Sequence, residues 1–474
     1  MQAGLPSLRE RAATLPRSRT RAPTGRRFGV GRAAIGSLTL YGASNLLALV
    51  TAVWLGNLLG AEGYGIYSYG IAWANVLVAP AALGLDRFVV RGVATYQAAD
   101  DRPALAGLIR FATRAVLLAS LTVAGAAVAI GALALGPDVR TTFLVSTALV
   151  PLFALTLVRQ AAMQGLRHVV LGQTPEFLLR PILLLLGIGA CVAIGGGADG
   201  PVGIMVATLA ASLFSFVVGT VILARRLPPN LRRVRARIQT SRWLRAALPM
   251  MLIGGIWLLN PYVSSVILGS LSGGRDVGLF TVAARGAALV LLPLWAVNAA
   301  LSPRIAAIAA PEGSRGAEPD AEALQELTSR GSRLALAAAL PLAAILVLLR
   351  DPLVAVFGDD FSGAALPLCL LVAGQLVNVA TGPSQPLLLM TGHERTAAWV
   401  VGGGVVLNAA LNFVAIGLWG LDGCAIATAL STIAWNVALV VASIRATGVN
   451  PCAISLGWGT AGPARLRRPR RTRT

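Results

Sequence analysis

Lysine is absent from this 474-residue chain, and all 40 basic residues are arginine. A Walker A loop places its lysine on the nucleotide phosphates, so an ATPase of that type is excluded. Acidic residues are also scarce, 19 against the 40 arginines, and charged residues make up 12% of the sequence. That share is about half of what soluble domains carry. Histidine occurs only at His168 and His393, too far apart for a zinc-binding H-E-x-x-H helix. The four cysteines, Cys191, Cys369, Cys424 and Cys452, sit mostly in apolar runs without metal or disulfide spacing, and read as small hydrophobes. Neither a metal nor a cofactor is expected.

Hydrophobic residues fill 56% of the sequence, and the mean hydropathy is +0.74. A chain this apolar would expose large patches in water and must be solvated by lipid over much of its surface. The net charge of +21 would suit nucleic acid or an anionic membrane. Because the arginines fall between apolar spans, the expected partner is anionic lipid and not nucleic acid.

The pattern predicts an all-α integral membrane fold of about twelve transmembrane helices. Residues 1–33 carry eight arginines and read as a basic disordered cytoplasmic tail. Spans are predicted near 34–59, 66–85, 115–136, 143–161, 177–195 and 203–223, then near 247–269, 279–300, 334–350, 364–388, 397–417 and 421–443. At roughly 1.5 Å per residue each suffices for about 30 Å of hydrocarbon. This divides the chain into an N-terminal bundle (34–224), a basic cytoplasmic linker (225–245) expected to lie on headgroups, a C-terminal bundle (246–445) and a basic tail (446–474).

With a cytoplasmic N-terminus, one side receives the arginines of both tails, those of 87–114, Arg159, Arg167, those of 225–245 and 304–333, and Arg395. The other side receives Arg140, Arg275 and Arg350. This positive-inside bias places both termini in the cytoplasm and the chain in the cytoplasmic membrane.

An internal repeat crosses the linker. The stretch from Leu55 to Ser68 aligns without gaps to that from Leu268 to Thr281, sharing Leu55/Leu268, Gly56/Gly269, Leu58/Leu271, Gly60/Gly273 and Gly65/Gly278. The same offset pairs Arg91 with Arg304. Six spans per half insert both halves the same way up, which implies a pseudo-two-fold axis along the membrane normal and a substrate cavity between two six-helix bundles, the signature of a transporter.

Several motifs then carry a resemblance. They are Leu59-Gly60-Ala61-Glu62-Gly63-Tyr64-Gly65-Ile66-Tyr67, Gly84-Leu85-Asp86 with Arg91, Asp276-Val277-Gly278-Leu279-Phe280, Phe357-Gly358-Asp359-Asp360-Phe361 and Thr391-Gly392-His393-Glu394. In order and spacing the chain resembles the oligosaccharide (O-antigen type) flippases, or polysaccharide biosynthesis proteins, of the multidrug/oligosaccharidyl-lipid/polysaccharide exporter superfamily. The resemblance implies no enzymatic chemistry and alternating access to a polyprenyl-pyrophosphate-linked sugar, with a polymerase or glycosyltransferases of the same pathway as candidate partners.

Such a substrate needs cations inside the membrane, and arginine suits phosphate because it donates bidentately and stays ionised when desolvated. Arg285 lies inside the eighth span without an acid in that span and is the first candidate, with snorkelling to headgroups or binding to helix-break carbonyls as its structural alternative. Arg180 follows Glu176 by four residues, so a helical ion pair competes with a cavity role, and a reversible pair could couple transport to an ion gradient. Arg91 and Arg304 are candidates for a cytoplasmic mouth and equally ordinary topology anchors, with Asp86 beside Arg91 as a second coupling acid. Asn260 precedes Pro261, which removes a backbone donor and predicts a bend in the seventh span. Intramembrane Asn408 and Asn412 read by default as interhelical hydrogen-bonding residues.

Two other functions compete. A proton- or sodium-coupled multidrug antiporter of the same superfamily needs intramembrane acids, which are nearly missing here. A membrane polymerase or glycosyltransferase needs a sizeable outward catalytic loop, and no predicted outward connection is long.

Overall fold

The computed structural model describes residues 26–193, 200–228, 231, 234–238, 240, 243, 254–309 and 320–453. The described residues form helices and short connections, with no strand among them. In hydrocarbon every backbone N–H and C=O must be satisfied within its own segment, which a helix achieves and an open strand does not. Nine of the described helical stretches are long and apolar enough to cross a membrane. Side chains such as Leu118, Ile130, Leu133, Leu348, Trp399 and Phe413 stand exposed on their outer faces. The molecule is a multi-span membrane protein.

The first half comprises α1 (Arg26–Ala81), α2 (Leu85–Ala98), α3 (Arg102–Ala134), α4 (Pro137–Thr147), α5 (Leu149–Gly165), α6 (Val169–Thr174), a π-helical turn (Pro175–Leu179), α7 (Arg180–Ala193) and α8 (Pro201–Arg226). In the second half are α9 (Val263–Leu271), α10 (Gly274–Ala288), α11 (Leu292–Ala309), α12 (Ala321–Leu348), α13 (Arg350–Ala355), α14 (Ala365–Ala380), α15 (Ser384–Met390) and α16 (Glu394–Thr447). Aspartates start two of them. Asp101 accepts a bond from the Ala104 N–H at 3.1 Å and Asp320 from the Ala323 N–H at 3.0 Å, each satisfying a donor the first turn leaves orphaned.

Two of the long stretches are pairs of helices. Helix α1 breaks at Gly60 (φ 65°, ψ −178°) and α16 at Gly420 (φ 54°, ψ −128°). The loop expected between the first two spans is therefore a single glycine, with helix resuming at once on either side. Only glycine adopts such positive φ without strain.

The sequence repeat is also a structural one. Gly273, the repeat partner of Gly60, has φ 94° and caps the start of α10. Beyond these breaks, α1 and α10 cross so closely that a Cβ on Gly65 would overlap the Gly274 carbonyl, while one on Gly278 would overlap the Ala61 carbonyl. Ala61 and Gly274 are themselves related by the repeat offset. Two-fold-related backbones meet at this crossing, and the absence of side chains permits it. Tyr64, Phe357 and Phe361 pack around the same end, with ring centroids 6.0–6.1 Å apart.

Where it is described, the basic linker packs against protein. Leu231 and Trp243 are buried. The Arg237 N–H donates to the Pro103 carbonyl at 3.0 Å, and its guanidinium pairs with Asp101. Trp243 Nε1 donates to Tyr96 Oη at 3.2 Å. Residues 1–25 and 454–474, most of the two tails, lie outside the described residues, as does 247–253 of the predicted seventh span.

Candidate functional site

A cavity of about 720 Å³ lies between the two halves, large enough for a small ligand or a sugar headgroup. From the first half its wall includes Asn45, Thr51, Tyr67, Asn75, Gln160, Glu176 and Arg180; the second half contributes Tyr262, Ser265, Thr281 and Arg285. Among the described residues Glu176 is the only acid in the wall, against two arginines.

Arg180 and Glu176 reach the cavity through local backbone chemistry. Pro181 has no N–H to return to the Phe177 carbonyl, which disfavours a regular α-helix here. The chain widens instead into a π-turn, in which the Arg180 N–H bonds the Pro175 carbonyl five residues back. Ser215 Oγ on α8 donates to the same carbonyl at 2.6 Å and so braces the turn. Turns of this kind often mark functional positions. Arg180 Nε lies 3.0 Å from Glu176 Oε1, and the guanidinium carbon sits 5.2 Å from the centre of the Phe153 ring. The pair is partly buried, with side chains 31% and 13% exposed.

Arg285 enters from the opposite half on α10 and is exposed to the cavity. Its Nη1 donates to the Ala48 carbonyl of α1 at 3.1 Å. That partner is neutral, so the guanidinium charge stays uncompensated. Tyr41 closes the neighbouring wall edge-on against Phe177 and Trp295, with centroids 5.8 and 5.5 Å away.

Of the residues singled out from sequence, Arg180, Arg285 and Glu176 come together in this wall; Arg91, Arg304, Asp86 and Asn260 do not line it. Arg91 and Arg304 stand exposed on α2 and α11. Asp86 occupies the first turn of α2 after the left-handed Gly84 (φ 62°), facing Gly254 across the junction of the halves. Asn260 opens the break that Pro261 imposes, and Pro261 and Tyr262 line the cavity in its stead. Among the described residues no cluster of three His, Cys, Asp or Glu could hold a metal.

Arg159 departs most from expectation. Its sequence position suggested a cytoplasmic connection, but α5 runs on to Gly165, and Arg159 is 4% exposed within it. No pattern in the sequence signalled this, because burial there depends on Gly219 of α8, against which the guanidinium lies.

The family model for polysaccharide biosynthesis proteins matches residues 30–309. No curated protein matches the chain in sequence. Solved structures share the fold. An inward-facing multidrug resistance MATE family transporter of the MOP superfamily is 16% identical, with TM-score 0.64 over 86% of this chain and 93% of its own. The lipid II flippase MurJ in an inward closed conformation is 14% identical, with TM-score 0.64 over 86% and 87%. A MOP superfamily transporter from Pyrococcus furiosus, whose binding pocket is described as having reverse polarity, is 16% identical, with TM-score 0.61 over 88% and 95%.

Proposed function

Because the chain belongs to the polysaccharide biosynthesis protein family, we propose that it flips a polyprenyl-pyrophosphate-linked oligosaccharide across the cytoplasmic membrane by alternating access. The observation that carries this reading is the cavity wall, where, among the described residues, each half contributes one arginine and the pair meets only one acid. A pyrophosphate offers what Arg285 lacks at present. Anionic oxygens form charge-assisted bonds roughly twice as strong as a neutral carbonyl can, so the ligand would displace the Ala48 bond and draw the two halves onto itself. The hydroxyl and amide groups of Asn45, Asn75, Gln160, Ser265 and Thr281 suit sugar hydroxyls.

The arginine bias assigns the Gly65–Gly278 crossing to the external side, so that the crossing seals that end and the cavity loads from the cytoplasm. Rocking of the halves exposes the headgroup outside while the polyprenyl tail stays in lipid. Only differential binding to the two states shifts such an equilibrium, so an ion gradient or later consumption of product sets the direction. No step makes or breaks a covalent bond, and the protein acts as a carrier, not an enzyme.

The test is headgroup translocation in proteoliposomes with a lipid-pyrophosphate oligosaccharide from the native cell. Transfer to the far leaflet that is lost in Arg285→Ala, at unchanged protein abundance, is the expected result. Unchanged transfer in that variant would remove Arg285 from the site. Glu176, the one acid among the described cavity residues, favours one second reading, a cation-coupled multidrug antiporter. Ion-driven efflux of a cationic dye, with no transfer of lipid-linked sugar, would establish it.

A further inference from the structure

Arg159 is a buried cation with no partner among the described residues. Its side chain is 4% exposed, and Nε, Nη1 and Nη2 all lack a hydrogen-bond acceptor. Buried charges are normally paired, because desolvation is otherwise uncompensated. The pocket is made to its shape: a Cβ on Gly219 would overlap the guanidinium, so the group lies flat on bare α8 backbone. One turn earlier on the same face of α8, Ser215 holds the Pro175 carbonyl of the π-turn. Arg159 and Glu176 therefore adjoin one stretch of α8. Glu176 follows Pro175 directly in that π-turn. On α5, Thr156 and Gln160 line the cavity, which puts Arg159 directly behind its wall.

Glu176 thus shares one stretch of α8 with Arg159 and is bonded to Arg180. While it holds Arg180, that guanidinium is half neutralised and Arg159 is orphaned. Were an anion to take Arg180 with nothing else moving, Glu176 would be left unpaired beside a negative ligand. The π-turn supplies freedom for a rearrangement, since its widened ring lacks the regular α-helical bonds. We propose that Arg159 is the alternate partner of Glu176: when a phosphate-bearing headgroup occupies Arg180, the Glu176 carboxylate turns to Arg159 behind the cavity wall. Each charge then has an opposite in both states, and the cavity gains a free cation only when an anion is present to use it. Arg159 is accordingly a positioning residue. This inference rests on the anion-binding reading of the cavity.

The test is calorimetric binding of inorganic pyrophosphate to the full-length protein in nanodiscs, as a cycle between Arg159→Gln and Glu176→Gln. Arg159→Gln should weaken binding by about tenfold, a typical size for coupling between sites. Glu176→Gln should tighten it, and adding Arg159→Gln to Glu176→Gln should change nothing further. Arg159→Lys keeps the charge and should bind nearly as the parent does. Should Arg159→Gln fail to fold, Gly219→Ala displaces the guanidinium from its slot and should weaken binding only when Glu176 is present. Equal weakening in both backgrounds would make Arg159 a direct ligand and overturn the exchange, as would no effect in either. Binding by the parent with no Arg159 effect overturns the exchange alone; no binding by the parent overturns the anion site with it.

Discussion

The two halves bury polarity in opposite ways. In the first half, Arg159, Glu176 and Arg180 cluster at a π-turn beside the cavity, with one arginine unpaired. The second half encloses a neutral network. Ser264 Oγ donates to Asn408 Oδ1 at 3.1 Å and meets Thr428 Oγ1 at 2.9 Å, Asn408 Nδ2 donates to Ser431 Oγ at 2.8 Å, and Asn412 Nδ2 reaches Ser264 Oγ at 3.3 Å. Apart from Asn412 Oδ1, the amide groups in that network are satisfied by their neighbours. A network that satisfies itself joins helices and has little left to offer a ligand, whereas charges left unsatisfied beside a cavity can be completed by one. Sequence repetition across the halves therefore does not extend to how polar groups are buried away from the cavity, although each half still sends one arginine into it.

The largest effect that would sharpen this comparison belongs to the cavity cations. Arg285→Ala and Arg180→Ala should each cost about 2–5 kcal/mol of headgroup or pyrophosphate binding, read by calorimetry, with thermal stability near that of the parent. Next come the neutral residues. Asn408→Leu should remove one hydrogen-bond partner each from Ser431 and Ser264 and lower stability by about 0.5–1.5 kcal/mol per bond lost, seen as a lower Tm in detergent, with pyrophosphate binding retained. If Asn408→Leu abolished binding while leaving Tm alone, the division between the halves would break.

At the crossing, Gly278→Val drives a branched side chain into the Ala61 backbone. Overpacking of that kind costs about 1–3 kcal/mol and falls on the closed state specifically. A cysteine placed at Ser265 should then react with an impermeant thiol reagent added from the crossing side, which the parent with the same cysteine excludes. The smallest effect is expected outside the cavity: Arg91→Ala and Arg304→Ala should change stability by no more than about 0.5 kcal/mol and leave pyrophosphate affinity unaltered. A loss of affinity in either would restore them as a docking mouth.

Much of this was legible in the sequence because membranes simplify the reading. Apolar runs reveal the spans, since no other backbone conformation crosses lipid unsatisfied, and the repeat from Leu55 and Leu268 locates the crossing glycines. Arg180 and Arg285 are visible as charges placed where charge is expensive. Arg91 and Arg304 look equally suggestive on paper, but repeat symmetry alone does not bring a residue to the cavity. Arg159 shows the opposite failure. A glycine sixty positions away on α8 turned an arginine read at the cytoplasmic end of its span into a buried one.

Composition and pattern by themselves thus determined a helical membrane protein of two repeated halves with arginines inside its spans, because hydrocarbon thickness and the cost of bare backbone leave few alternatives. Tertiary structure alone decided which arginines share a cavity, which acid stands between them and which glycines let the halves meet. Those outcomes depend on close approach between segments distant in the chain, and hydropathy along a sequence carries no record of it.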